Sequence, residues 1–78
     1  RDMRFTITGW YDGFAELYDY IDDWMHNHDI RNWESMGVLT EWGDDTYEWY
    51  WDGGGLEQGE WVMEDLEDLD SSIVVRRK

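Results

Sequence analysis

The chain has 78 residues, 20 Asp and Glu against 6 Lys and Arg, a formal charge of −14, seven Trp and no Cys. That length supports one small domain, the missing Cys excludes disulfide and thiolate-metal frameworks, and no apolar run approaches the roughly 20 residues of a membrane span. With 41% hydrophobic residues it is too apolar for an acidic disordered tail, and its charge lies far beyond the magnitude of about 2–8 that keeps a small domain soluble.

Met3–Thr8 alternates Met3, Phe5 and Ile7 with Arg4, Thr6 and Thr8, the pattern of a half-buried strand. Gly9 breaks it, and Asp12 stands where an N-cap belongs. Phe14, Leu17, Tyr18, Ile21 and Met25 then mark an amphipathic helix running to about Asn27. Met36–Trp42 and Thr46–Trp51 read as two strands joined by the hairpin loop Gly43, Asp44 and Asp45. In the second strand Tyr47, Trp49 and Trp51 share one face. After Gly53–Gly55, the residues Val62, Met63, Leu66 and Leu69 give a second helical stripe within Glu57–Leu69. Gly59 weakens its start, so an alternative lets residues 56–63 extend the sheet. Ile73–Arg76 is a last strand. The order β-α-β-β-α-β predicts an α+β, ferredoxin-like sandwich, with a four-stranded antiparallel sheet and two helices on one face. The term is topological; no iron–sulfur ligands exist without Cys.

Between Phe5 and Val75 the only cation is Arg31, against 19 carboxylates. Asp12, Glu16, Asp19 and Asp23 form one predicted helical row; Glu57, Glu60, Glu64 and Glu67 form another, with Asp68 beside it. Neighbours along such rows lie roughly 5–6 Å apart, close to the roughly 6–7 Å between successive phosphates of a nucleic-acid strand. Solvated helices ordinarily mix signs, and neither helix contains Lys or Arg. Glu67, Asp68 and Asp70 also crowd the C-terminal end of the second helix, where the macrodipole disfavours anions. Such crowding predicts raised carboxyl pKa values and a fold that gains stability as pH falls from neutral.

The core accounts for Phe5, Tyr18, Trp49 and most other aromatics; Trp10, Tyr11, Tyr20, Trp24, Trp33 and Trp61 fall near loops or off the apolar stripes. Exposed Trp and Tyr make interface anchors, and Trp24 and Trp61 are the strongest of these candidates. Tyr50 on a sheet face evokes base stacking, but a basic path around it is not evident in the sequence, which argues against direct nucleic-acid binding. His26 and His28 suit the C-terminal end of the first helix better than a zinc site. Asp44-Asp45 and Asp52-Gly53 lack calcium-loop spacing, and no nucleophile or phosphate-loop motif points to an enzyme.

In size, charge, absence of Cys and its two acidic rows the chain resembles small phage-encoded inhibitors that mimic nucleic acid: anti-CRISPR proteins above all, anti-restriction proteins and the uracil-DNA glycosylase inhibitor. The resemblance implies a stoichiometric inhibitor without cofactor, favoured as a monomer, acting in the host bacterial cytoplasm. It would occupy the Lys/Arg-lined channel of a basic nucleic-acid-binding protein or CRISPR effector subunit. An acidic module that binds a basic protein without displacing nucleic acid, and a salt-adapted structural domain rich in Asp, are the competing readings.

Overall fold

A computed structural model describes residues 2–78; Arg1, one of the terminal cations, lies outside the described residues. The elements are β1 (Met3–Thr8), α1 (Phe14–Asn27), a 3-10 turn (Trp33–Ser35), β2 (Gly37–Glu41), β3 (Thr46–Trp51), α2 (Gln58–Glu67) and β4 (Val74–Arg77). The strands form one antiparallel sheet in the order β2-β3-β1-β4. This is the expected α+β arrangement, with β3 set between β1 and β2 by the crossover through α1. Residues 58–67 are helix, so the alternative in which 56–63 join the sheet does not hold.

Register decides what faces the helices. Phe5 pairs with Trp49 and Ile7 with Tyr47 across β1 and β3, and Leu39 of β2 pairs with Trp49. These side chains share a buried cluster with Leu17, Ile21 and Met25 of α1 and Val62, Met63 and Leu66 of α2. Both helices therefore lie on the same side of the sheet.

Two indoles set the spacing of this core. Trp49 and Trp51 stack with ring centroids 5.8 Å apart. A Cβ at Gly59 would sit 2.0 Å from Trp51 Cγ, and one at Gly37 would sit 2.6 Å from Trp49 Cη2. The Trp49 Nε1–H donates to the Gly59 carbonyl at 2.8 Å, and the Trp51 Nε1–H to the Leu56 carbonyl at 3.1 Å. Gly59 is thus helical despite its poor propensity, because only a residue without Cβ lets α2 rest on the indole of Trp51. Aromatic contacts continue outward through Trp33, 5.7 Å from Trp49, and Tyr18, 5.2 Å from Trp33.

Helix α1 begins one residue later than an Asp12 cap implies. Gly13 is the N-cap, at φ 95° and without a side-chain cap. Its carbonyl accepts the Leu17 N–H at 3.2 Å and the Trp10 indole N–H at 2.9 Å. An L-residue rarely adopts that backbone conformation, so the cap falls to glycine and Asp12 stays outside the helix.

Gly59→Ala should destabilise the fold although alanine is the better helix former by about 1 kcal/mol. Overpacking against a fixed indole costs about 1–3 kcal/mol, and urea unfolding should show a net loss; a more stable variant would contradict the packing. The Tyr47 hydroxyl is buried without a hydrogen-bond partner. Tyr47→Phe should therefore leave stability unchanged or raise it by up to about 1 kcal/mol in the same measurement.

Candidate acidic interface on the helix layer

The outer surface of α1 presents Glu16, Asp19 and Asp23, all exposed. Asp12 is exposed just before the helix, so the row holds three helical members rather than four. On α2, Glu57 is the N-cap, Glu64 and Glu67 are exposed, and Asp68 is the C-cap. These acids divide between two sides of the helix. Glu60, Glu64 and Glu67 line a cleft with Phe5, Met63, Val75 and Arg77, toward β4. Asp65 turns toward α1, where it accepts the Trp24 indole N–H at 2.7 Å.

Several carboxylates serve the fold. Asp22 accepts the Trp33 indole N–H at 2.8 Å, and Glu34 accepts the Tyr18 hydroxyl. That hydrogen bond, with burial and the nearby charges of Glu34, Asp22 and Asp19, raises the Tyr18 pKa to about 12. Glu67 accepts the backbone N–H of Val75 at 2.9 Å, and Glu60 approaches Arg77 at 3.4 Å. The Glu67 contact satisfies a backbone donor of edge strand β4, which otherwise invites pairing with another chain.

At the C-terminal end of α2 the acids are less misplaced than the helix dipole alone implies. Glu67 is held by Val75, and Asp70 accepts the Ser72 backbone N–H at 2.9 Å. Two of the three misplaced acids there have local structural roles, and Asp68 alone stays without one. Against the expectation of raised carboxyl pKa values, the hydrogen bonds from Ser72 lower that of Asp70.

The aromatic surplus is also smaller than the helical stripes imply. Trp24 is 8% exposed and Trp33 is 1% exposed, so neither is a surface anchor. Trp24 belongs to the buried face because it follows Leu17 and Ile21 at helical spacing, its indole N–H meets Asp65, and His28 stacks on it at 3.7 Å. Trp33 reaches the core from the 3-10 turn, where no periodicity marks it. Trp61 is 44% exposed on α2 and remains available. Tyr20 is half-buried between the helices; burial raises its pKa, and the charges of Asp65 and Asp68 add to the shift. Trp42, at the end of β2, is 68% exposed, a position that strand alternation alone leaves unremarked.

The histidines stay at the end of α1. His28 is the C-cap, with Nδ1 2.7 Å from the Trp24 carbonyl, and His26 lies 3.5 Å from Asp22. Among the described residues no group of three or more His, Asp or Glu is arranged to hold a metal ion.

The site is thus a helix layer with free carboxylates at Asp12, Glu16, Asp19, Asp23, Glu57, Glu64 and Asp68, and Trp61 among them. It can attract and grip cations: carboxylates supply charge, and an exposed indole supplies a face for a guanidinium or ammonium. No protein family, curated protein or solved structure matches the chain.

Asp70 gives the layer a pH signature. Its folded pKa lies below the ordinary 3.8, so the ionised form is favoured by folding. Its stabilising contribution is present above that ordinary value and is lost as pH falls through the folded one. In thermal melts Asp70→Ala should be less stable than the parent at pH 7, with the gap closing toward pH 2; a gap independent of pH would contradict the Ser72 contacts.

Proposed function

We propose that this protein is a stoichiometric inhibitor of a nucleic-acid-binding effector, of the anti-CRISPR type, that docks its acidic helix layer in a Lys/Arg-lined channel and so blocks target binding. One observation carries the reading: charge is largely segregated across the sheet, with Arg77, paired with Glu60 on the helix side, and Glu48, on the other side, as exceptions. Neither helix contains Lys or Arg, while Arg4, Arg76 and Lys78 stand on the strands' opposite side by alternation with Phe5 and Arg77. A layer of one sign repels itself and has no use within the fold once the structural acids are set aside. It suits a surface of opposite sign, to which it steers encounter.

Docking would place Glu16, Asp19, Asp23, Glu64 and Asp68 against cations that otherwise hold phosphates. Trp61 would then bury apolar area and slow release. Glu60 and Glu67, tied to β4, would contribute field rather than direct contacts. The protein's charge opposes approach to a membrane's anionic surface and to nucleic acid itself.

The test is competition. Labelled target DNA bound to a CRISPR effector, a restriction enzyme or a uracil-repair enzyme is titrated with this protein. One of them should release DNA at one equivalent per site, with an affinity that falls at least tenfold between about 50 and 200 mM salt. Neutralising Glu16, Asp19, Asp23, Glu64 and Asp68 to Gln or Asn should weaken displacement by more than tenfold. Absence of displacement across the panel overturns the proposal, and a ternary complex that retains DNA assigns the layer to a non-competing acidic interaction module instead.

A further inference from the structure

The segment leading into α1 and the segment leaving α2 meet at one end of the helix layer, and a cavity of about 340 Å³, open to solvent, lies between them. Trp10, Tyr11, Leu69 and Ile73 supply its apolar lining; Asp12 and Asp70, both exposed, supply its charge. Tyr11 is 74% exposed and Leu69 is 54% exposed, so the core needs neither of them. The two sides of the cavity are tied together. Gly9 runs so close to Ser72 that a Cβ there would collide with the Ser72 carbonyl. The Ser72 hydroxyl donates to the Gly9 carbonyl at 3.2 Å, and the Trp10 indole is fixed by its hydrogen bond to the Gly13 carbonyl. The cavity is therefore built before anything enters it, which lowers the cost of ordering on binding.

We propose that this cavity receives the guanidinium of one arginine of the basic partner. The inference rests on the reading of the helix layer as a surface for such a partner, and it names the side chain that this end of the layer takes. Charge sets the sign of the occupant. No Lys or Arg lines the cavity. On the other side of the sheet Glu48 is paired with Lys78 at 2.6 Å, whereas among the described residues Asp12 and Asp70 pair with no cation. Helix α2 ends at Glu67, just before Leu69 and Asp70, so the negative end of its dipole stands beside the cavity and also favours a cation. The Ser72 N–H holds Asp70 in place, and a carboxylate has acceptor sites for more than one donor.

The aromatic lining selects arginine over lysine. A guanidinium stacks on a ring, pairs side-on with a carboxylate and gives up water more readily than an ammonium. Size agrees, because the volume lies near the lower bound of the roughly 300–1,000 Å³ of small-ligand sites. It has room for one side chain and none for a helix or strand. An anionic ligand would meet two carboxylates of its own sign, and an apolar one would strip them of water without replacing it.

Titration of the full chain with a short Gly/Arg peptide, followed by NMR, tests this, with Lys and citrulline versions of the peptide as controls. The Arg peptide should bind about threefold tighter than the Lys peptide and about tenfold tighter than the neutral citrulline peptide. The largest shifts should fall on the Tyr11 amide and the Trp10 indole N–H. Tyr11→Ser and Asp12→Asn, both at exposed positions, should each weaken Arg-peptide binding about fivefold while circular dichroism stays unchanged. Asp44→Asn makes the same change of charge in the β2–β3 hairpin and should weaken it less than about twofold. Equal affinity for the Arg and Lys peptides, equal effects of Asp12→Asn and Asp44→Asn, or shifts centred elsewhere on the helix layer would each overturn the proposal. DNA displacement is read separately: if it persists while the cavity fails these tests, only the arginine site falls. If the Arg peptide binds as expected and no effector releases DNA, the site stands and the inhibitor reading falls.

Discussion

Two indoles resting on three glycines hold this small fold together. Trp49 and Trp51 fill the space between β3 and α2, and the Cβ atoms that Gly37, Gly53 and Gly59 lack are what make room for them. A 78-residue chain buries little surface in total, so large side chains must do what chain length cannot. The indoles also bring polar N–H groups inside, and each must find an acceptor. Trp49 finds the Gly59 carbonyl in the first turn of α2, and Trp51 the Leu56 carbonyl just before the helix. The contact that packs the core therefore also positions the second helix.

The same demand explains part of the acidity. Trp24 and Trp33 donate to Asp65 and Asp22, which are helical residues at the boundary between core and solvent. A carboxylate in such a place satisfies the indole and keeps its second oxygen near water. The excess of acids thus has two origins. Asp22, Asp65, Glu34, Glu67 and Asp70 hold indoles, a phenol, a strand edge and a turn. Glu16, Asp19, Asp23, Glu64 and Asp68 have no such work in the fold, and they carry the functional proposal.

Much of the architecture was legible. Alternation around Phe5 and Trp49 and the stripe from Leu17 to Met25 identify the strands, the first helix and the core face, because each depends on local periodicity. Three features were not legible, for three reasons. Gly59 looks like a helix breaker until Trp51 is known to lie against it, which is a tertiary contact. Trp24 follows Leu17 and Ile21 at helical spacing but sits beside Asp22 and Asp23 at the border of the stripe, and the Asp65 contact across to α2 is what settles its burial. Trp33 and the roles of Glu67, Asp70 and Lys78 arise from turns and from the pairing of the two chain ends, which leave no periodic trace. Of the candidate site, exposure of the α1 acids and of Trp61 follows from the helical wheel. Which acids are already occupied by the fold does not.

The acids of the helix layer thus divide into occupied and free ones, and thermal melts of two alanine variants test that division. Replacing Glu16, Asp19 and Asp23 together removes like charges from a solvent face and should leave the melting temperature unchanged or higher. Replacing Asp22 and Asp65 together strips acceptors from Trp33 and Trp24, at about 1–3 kcal/mol each, and should lower it by several degrees or more. Equal losses in the two variants, or a larger loss in the first, would contradict the division.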